Sequence, residues 1–328
     1  MRIARLLNAL FLFSFSFLFA AAARAQTAPQ PANPLPFTLK PLGHNIYAAI
    51  DDAKGDAGAN AGFVIGNDGV LIVDSFENPE AAKLLLAEIR KLTQLPIKFV
   101  VNTHYHLDHV AGNSVFTKEG AVVLAHRNVR TWIHTENLKF FGKDIKPEQK
   151  ALVEGLVSPA VVYDSDIEIF LGTRRIHVRT FPGHTGGDSV VTIPDAQVAF
   201  CGDLFWRNTL PNLIDASTDL WINTLSKISA EFPQSTFVPG HGDVGTAADV
   251  TAFRGYLADL RGMVAGPVKE GKSGDALVNA VLPQLKEKYG KWDFFVDFAK
   301  SDILDMAAEL RGDKKIPRPE SETPPPAH

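Results

Sequence analysis

The chain has 328 residues, of which 45% are hydrophobic and 21% are charged, and its net charge is −4. This length allows one large domain or two small ones, and the composition is ordinary for a globular protein with a sizeable core. Lys and Arg form no cluster, which argues against a nucleic-acid partner and against a nuclease. We therefore expect a small-molecule substrate, and the sequence favours no particular oligomeric state.

The first 25 residues have the pattern of a secretory signal peptide. Two arginines precede a nearly all-apolar run, 6–22, and residues 23–25 (Ala-Arg-Ala) fit the A-x-A cleavage pattern. An uncleaved membrane anchor is the less favoured alternative, because the run is short for a span. We predict cleavage after Ala25, a periplasmic or secreted protein, and no stable membrane association afterwards.

Removal of this segment takes away three arginines and no acidic residue, which changes the net charge to −7. Cys201 is the only cysteine, so the exported chain has no internal disulfide. Residues 26–36 read as a Pro-rich leader, and residues 313–328 as a disordered tail. Between them, residues 37–312 are predicted to form one domain with a C-terminal helical extension.

The first half of the chain alternates strands and helices. Strand-like segments lie at 45–50, 61–65, 97–102 and 121–125. Asn67-Asp68-Gly69 predicts a hairpin over 62–75. Asn78 and Pro79 have the pattern of a helix start, a second helix is expected near His109, and residues 128–156 read as helical.

The second half begins with strands and ends with helices. The expected strands are 167–170, 176–181, 189–193, 198–201 and 236–238, with helices at 219–231 and from about 247 to 311. This order predicts two α/β halves that pack sheet against sheet with helices outside. Polar residues follow several strands, which is where open sheets commonly place their sites.

The segment directly after strand 97–102 carries His104, His106, Asp108 and His109. Imidazole nitrogen and carboxylate oxygen are the donors that borderline cations such as zinc prefer. Alternate side chains of a tight turn point apart, so His104 and His106 can face one metal while Asp108 and His109 reach a second.

Three further strand ends carry a possible ligand: His184 in Pro-Gly-His-Thr, Asp203 in Gly-Asp, and His241 in Gly-His-Gly. Each alone is weak, because a lone histidine after a strand is more often a surface residue. Four elements with the same placement indicate one shared site.

The order of these motifs resembles the metallo-β-lactamase superfamily over roughly residues 46–244. The resemblance implies an αββα sandwich, with two mixed sheets packed face to face and a two-metal site at one edge. It implies His104, His106 and His184 at the first metal and Asp108, His109 and His241 at the second, with Asp203 bridging. It also implies that Asp74 hydrogen-bonds a ligand histidine.

The chain departs from several β-lactamases proper, which have Cys where this chain has Asp203. That aspartate resembles the wider hydrolases of the family, such as glyoxalase II and lactonases. We interpret Cys201 as a small buried core residue. Phe205 and Trp206 are expected to be packing residues with a rim position as the alternative, His134 to be structural, and Tyr105 to be within reach of substrate.

The expected activity is hydrolysis of an activated acyl bond: a β-lactam, lactone, ester or thioester. Two zinc ions per chain would activate a shared water and polarise the carbonyl, with Asp203 between the metals and Asp108 orienting the nucleophile. Asp108 and Asp203 are therefore the predicted catalytic residues.

Other functions stay open. Persulfide dioxygenases share the scaffold with a single iron, and an iron-dependent oxidoreductase of that type is the main alternative. Flavodiiron proteins usually carry Glu at the position of His106, so this histidine favours zinc, although the ligands leave iron and manganese open. A non-catalytic scaffold protein should lack some ligands, yet all seven are present. The net negative charge of the chain argues against a phosphodiesterase.

Overall fold

A computed structural model of the protein describes residues 34–52 and 56–317. The predicted signal peptide, residues 26–33 of the predicted leader and residues 318–328 of the predicted tail lie outside the described residues. Among the described residues, no helix is long and apolar enough to cross a membrane.

Within the described part of the chain, the first sheet has seven strands in sequence order. Its first four strands pair antiparallel, and β4 to β7 pair parallel, so the sheet is mixed. The strands are β1 (Phe37–Pro41), β2 (Ile46–Asp51), β3 (Ala61–Ile65), β4 (Val70–Val73), β5 (Ile97–Val101), β6 (Val122–His126) and β7 (Val161–Tyr163). The predicted hairpin is confirmed as β3 and β4, closed by a hydrogen bond from the Gly66 N–H to the Gly69 carbonyl (2.9 Å).

The second sheet has five strands in the order β12-β11-β10-β9-β8 and is also mixed. Among its described strands, only β11 and β12 pair parallel. The strands are β8 (Ile167–Leu171), β9 (Arg174–Thr180), β10 (Ser189–Ile193), β11 (Val198–Trp206) and β12 (Thr236–His241).

Helices cover the outer faces of both sheets. Those of the first half are α1 (Pro79–Leu92), α2 (Leu107–Val110), α3 (Asn113–Lys118), α4 (Arg127–Trp132), α5 (Thr135–Phe141) and α6 (Pro147–Glu154). Those of the second half are α7 (Thr218–Glu231), α8 (Ala247–Lys269), α9 (Gly274–Tyr289) and α10 (Phe295–Arg311). The predicted start of α1 is confirmed, because the Asn78 side chain accepts from the Ala81 N–H and Pro79 opens the first turn.

Three hydrophobic clusters define the four layers. One contains residues of both sheets, such as Leu71 and Val101 with Val191 and Val238, so the sheets pack face to face. The second joins the outer face of the first sheet to α1 and α3, and the third joins β11 to α7–α10. Alternation along a strand sorts the side chains between layers. The predicted αββα architecture is confirmed.

The structure differs from the sequence expectations in several elements. Strands β1 and β7 were not predicted, and β11 continues to Trp206 instead of ending at residue 201. Residues 128–156 lie in three α-helices and a 3-10 helix (Gly142–Asp144), because Gly142 ends α5 with φ 66° and Pro147 opens α6. The disordered tail was expected from Asp313, but the Lys314 ammonium donates to the carbonyls of Leu213 and Ala216.

Candidate metal centre

The His-rich segment leaves the first sheet at the end of β5 and turns into the short helix α2. His106 is the residue before the helix, and His109 lies in its only turn. Asn137 of α5 donates its side-chain N–H to the Tyr105 carbonyl (2.7 Å), which fixes this turn from outside. His104 and His109 are buried, so their rings face the interior.

His184 lies in the loop between β9 and β10, and Asp188 organises that loop. The Asp188 carboxylate accepts from the Thr185 N–H (2.8 Å) and from the Thr185 hydroxyl, which closes the turn next to His184. His184 is completely buried and packs edge-on against Trp221 (5.2 Å between ring centroids).

A bulge in β11 presents Asp203. The register with β12 shifts on both sides of Gly202, whose φ is +50°. A Cβ on Gly240 would lie 1.9 Å from Asp203 Oδ1. Glycine at position 240 of β12 therefore leaves the room that the Asp203 carboxylate occupies.

These elements bring the seven predicted ligands into two groups that share Asp203. Within each group, one donor atom per residue lies within 4.8 Å of every other. The first group contains His104, His106, His184 and Asp203, and the second contains Asp108, His109, Asp203 and His241.

In the first group, the His184 Nε2 atom lies 2.9 Å from His106 Nδ1 and 3.2 Å from Asp203 Oδ2. The His104 Nε2 atom is 3.7 Å from the same carboxylate oxygen. His106 therefore faces the group with Nδ1, whereas His104 and His184 face it with Nε2.

In the second group, the His109 Nε2 atom lies 3.0 Å from Asp203 Oδ1 and 3.4 Å from Asp108 Oδ2. The His241 Nε2 atom lies 3.2 Å from Asp108 Oδ2 and 3.5 Å from Asp203 Oδ1. The two oxygens of Asp203 thus face different groups, which is the arrangement that a bridging carboxylate requires.

The donor atoms fit metal ions. Among the described residues, the Nε2 atoms of His104, His109 and His241 and the Oδ1 atom of Asp203 are buried without a hydrogen-bond partner. Buried polar atoms are costly unless they are paired, so a cluster of such atoms requires a ligand. Imidazole nitrogens with carboxylate oxygens suit a divalent cation of zinc type.

Asp74 orients His109, as the resemblance implied. Its Oδ2 atom lies 2.9 Å from His109 Nδ1, and the carboxylate also accepts from the backbone N–H (2.8 Å) and hydroxyl (2.7 Å) of Thr103. Asp74 has a left-handed backbone with φ 57°. The hydrogen bond at Nδ1 leaves Nε2 of His109 for the centre.

The candidate histidine ligands differ in charge, and within the first group Asp215 outweighs burial and raises the pKa of His106. Burial lowers the pKa of His184 to about 3 and that of His104 well below its ordinary value, so both rings are neutral. Burial opposes the charged form of His241 too, but Asp203 and Asp108 outweigh it and raise the pKa to about 9. A cation in the second group must therefore displace a proton from His241.

Asp215 is a site residue that the sequence did not indicate. It lies before α7, where its Oδ2 atom accepts from the Tyr105 hydroxyl (2.6 Å) and lies 3.1 Å from His106 Nε2. Tyr105 was expected to be within reach of substrate, but its side chain is completely buried behind the centre. No motif surrounds Asp215, so only the fold could reveal it.

Asn60 is a second unpredicted residue, at the edge between the sheets. Its side-chain N–H groups donate to the carbonyls of Pro239 (2.9 Å) and Gly242 (2.8 Å), which flank His241. Its backbone N–H donates to the Gly240 carbonyl (2.7 Å). Asn60 therefore joins the first sheet to the end of β12, which carries His241.

The remaining sequence predictions near the site have clear outcomes. Cys201 is a buried core residue, as predicted, and burial raises the pKa of its thiol. Phe205 is also core, and His134 is structural, with Nε2 3.1 Å from the Leu156 carbonyl oxygen. Trp206 is buried as expected but also stacks on His241 (3.9 Å between ring centroids).

A cavity of about 240 Å³ opens onto the two groups. His106, Asp108, Asp203 and His241 form its floor. A small molecule in this cavity would contact candidate ligands of both groups.

Comparison with known proteins agrees with this geometry. The family model of the metallo-beta-lactamase superfamily matches residues 55–241, more than half of the chain. The chain is 23% identical to a linear primary-alkylsulfatase of a Pseudomonas species, over 68% of this chain and 51% of the relative. It is 29% identical to hydroxyacylglutathione hydrolase of Brucella anthropi, over 53% of this chain and 61% of the relative. The chain thus spans about half to three fifths of the length of these two relatives.

Two proteins named as metallo-beta-lactamases are also similar. IND-1 of Chryseobacterium indologenes is 24% identical over 56% of this chain and 72% of the relative. The solved structure of a metallo-beta-lactamase from Pontibacter korlensis has a TM-score of 0.58 at 20% identity, and covers 68% of this chain and 99% of its own. The structural likeness shows the shared fold. Because the family model spans all seven candidate ligands, the chain belongs to the metallo-beta-lactamase superfamily.

Proposed function

We propose that the protein is an exported, binuclear zinc hydrolase that cleaves an activated acyl bond in a β-lactam, lactone, ester or thioester. The observation that carries this proposal is that the two carboxylate oxygens of Asp203 face two separate groups of donors. Relatives named hydroxyacylglutathione hydrolase and metallo-beta-lactamase support hydrolysis as the reaction class. The signal-peptide pattern of residues 1–25 supports export.

Two zinc ions, when bound, would supply Lewis acidity toward the carbonyl and a water of lowered pKa. His104, His106 and His184 would hold the first, and Asp108, His109 and His241 the second, with Asp203 between them. This donor set of imidazoles and carboxylates supports zinc.

Asp108 has a further role in this proposal. Its side chain is 26% exposed, lines the cavity, and lies 3.2 Å from His241 Nε2 through Oδ2. Burial would raise its pKa, but His109 and His241 outweigh this and hold the pKa well below its ordinary range. The ionised Oδ2 atom can therefore accept a hydrogen bond from the attacking water and orient it.

The experiment is hydrolysis across the four bond types by zinc-loaded wild type, Asp203→Ala and His106→Ala. We expect both variants to lose turnover and bound metal while circular dichroism shows the fold retained. Asp219→Ala is the matched control, because that exposed aspartate pairs only with Arg261 among the described side chains. Wild-type turnover in either site variant, or no turnover of any bond type by wild type, would overturn the proposal.

A further inference from the structure

An aromatic side chain covers one face of the His241 ring. Trp206, the last residue of β11, is the register partner of His241 at the end of β12, and the Arg207 N–H donates to the His241 carbonyl (3.0 Å). This pairing places the two rings side by side, and they stack with 3.9 Å between centroids and 22° between planes. The pairing of β11 with β12 therefore gives a candidate ligand of the second group an aromatic neighbour.

This stacking corresponds to the hydrogen bonds that fix other candidate ligands. Such bonds hold three rings through their second nitrogen: His104 through Thr103 (3.1 Å), His106 through Asp215 (3.1 Å) and His109 through Asp74 (2.9 Å). His241 lines the cavity of about 240 Å³, so open space adjoins its ring. A stacked neighbour limits rotation of the ring plane, as a hydrogen bond at the second nitrogen does.

The C-terminal extension contacts Trp206 in turn. Phe298 of α10 packs edge-on against it, with 6.3 Å between ring centroids and 89° between planes. Phe294, the residue before α10, lies 6.4 Å from Trp206 and 6.1 Å from His241. Both phenylalanines lie outside residues 55–241, the part that matches the family model. The extension thus supplies side chains that contact the ring stacked on His241.

The start of α10 is bonded to the chain that follows β11. Phe294 has a φ of 58°, in the left-handed region that bulky residues rarely adopt. The preceding residue, Asp293, donates its N–H to the Asn208 carbonyl (2.9 Å) and accepts from the Leu210 N–H (2.9 Å). Asn208 follows Trp206 by two positions, so these bonds fix Phe294 relative to Trp206.

We propose that Trp206 is a positioning residue for His241, and that Phe294 and Phe298 hold Trp206 in place. The C-terminal extension then sets the affinity of the second group for its metal ion. This inference rests on the two-metal site of the proposed function. A ligand ring that is already held in its binding orientation loses less freedom when the metal binds, so it binds the metal more tightly.

The first group depends less on α10. His184 lies 6.3 Å from Trp206 with its ring tilted by 56°, but Trp221 packs against it more closely, at 5.2 Å between centroids. The Trp221 indole N–H donates to the Leu204 carbonyl (2.9 Å), a bond to which α10 does not contribute. A change at Phe298 should therefore affect mainly the second group.

The experiment measures zinc affinity and needs no substrate. Competition with a coloured chelator gives the two stepwise zinc affinities, and His241→Ala identifies the step of the second group, because it removes a ligand of that group. Phe298→Ala should weaken that step by about tenfold and leave the other within about twofold. Phe298→Leu keeps apolar bulk against Trp206 and should lose less. Val296→Ala is the control, because Val296 is 93% exposed on the same helix.

Two substitutions of Trp206 test the stacking itself. Trp206→Phe keeps a ring for His241 and should weaken the second step by less than about threefold, whereas Trp206→Leu keeps bulk without a ring and should weaken it by about tenfold or more. Circular dichroism checks that both variants fold. Because Trp206 also lies near His184, selectivity between the two steps is judged on Phe298→Ala.

The inference and the proposed function fail separately. Equal weakening of both steps by Phe298→Ala, or no weakening of either, overturns the inference, as do equal affinities of Trp206→Phe and Trp206→Leu. A wild type that binds a single zinc ion overturns the binuclear site of the proposed function and this inference with it. Two-step zinc binding with the expected losses but without acyl turnover overturns the proposed function alone.

Discussion

The orientation of the His106 ring depends on a hydrogen bond on its far side. Asp215 faces Nε2, and the Tyr105 hydroxyl donates to the same carboxylate oxygen. With the proton on Nε2, the Nδ1 lone pair is left for the first ligand group. Asp215 is thus a positioning residue for one candidate ligand, in the way that Asp74 is for His109.

Asp215→Ala should weaken metal retention by roughly 10- to 100-fold, because the ring loses its fixed tautomer and direction. Competition with a coloured chelator measures this affinity directly. Asp215→Asn keeps a carbonyl acceptor for His106, so its loss should be smaller. Asp219→Ala, on a nearby exposed aspartate, should retain metal like wild type, and equal retention by Asp215→Ala would contradict the positioning role.

The candidate ligands could be predicted from sequence because chemistry concentrates them in short motifs at strand ends. Asp215 and Asn60 could not be predicted from the sequence. Asp215 acts on His106 from 109 positions away, and Asn60 bonds to carbonyls near position 241. A single Asp or Asn in a loop has no pattern, and only tertiary packing gives it a partner.

At the scale of elements, helices α8 and α10 are joined at a buried aspartate. Asp302 is completely buried, and its Oδ2 atom accepts from the Tyr256 hydroxyl (2.5 Å). Burial raises the pKa of Asp302 well above its ordinary value; Asp305 raises it further, and Lys314 lowers it in part. The carboxyl is therefore protonated in the folded chain at pH values where the unfolded chain has lost that proton.

This linkage has a definite sign. Below about pH 4 both states hold the proton, and above it only the folded state does, so stability falls as pH rises toward the folded pKa. Asp302→Asn removes the titration and keeps an oxygen for Tyr256. Relative to wild type, its free energy of unfolding should therefore improve as the pH rises above about 4 toward the folded pKa of Asp302, by up to about 1.4 kcal/mol per pH unit.

Urea denaturation at pH 5, 6.5 and 8 checks this prediction. Asp297→Asn, on an exposed residue of the same helix, should follow the wild-type pH dependence. If the free energies of unfolding of Asp302→Asn and wild type change in parallel with pH, burial does not hold Asp302 in its neutral form.

At the scale of the whole molecule, the order of strands and helices and the family resemblance predicted the layers, but not how the C-terminal helices relate to the site. Amphipathic spacing in α10 indicates an apolar face without indicating which surface that face covers. Strand β7 was missed because it has only three residues and pairs with β6, from which α4, α5 and α6 separate it in the chain. Strand β1 was missed although it pairs with its chain neighbour β2, and it directly follows the predicted leader. Contacts such as that of Phe298 with Trp206 arise only when the fold is complete.

The C-terminal end also holds the loop that carries Asp215. The Lys314 side chain is 7% exposed, and its ammonium group donates to two carbonyls that flank that residue in the chain. Lys314→Ala should lower the free energy of unfolding by roughly 1–3 kcal/mol, because both carbonyls lose their charged donor. Urea denaturation measures the change. Lys315→Ala, on the exposed neighbour, should be nearly neutral, and equal effects of the two substitutions would contradict this anchoring.

The seven candidate ligands come from both halves of the sandwich: four from one turn beside the first sheet, and three from β11, β12 and the loop between β9 and β10 of the second. A metal ion bound by ligands of both halves would link the two sheets at the edge where Asn60 already joins them by hydrogen bonds. An ion that binds only the folded protein stabilises the fold in proportion to the logarithm of its free concentration. The free metal concentration around the protein would then set the stability of the folded chain together with its chemistry.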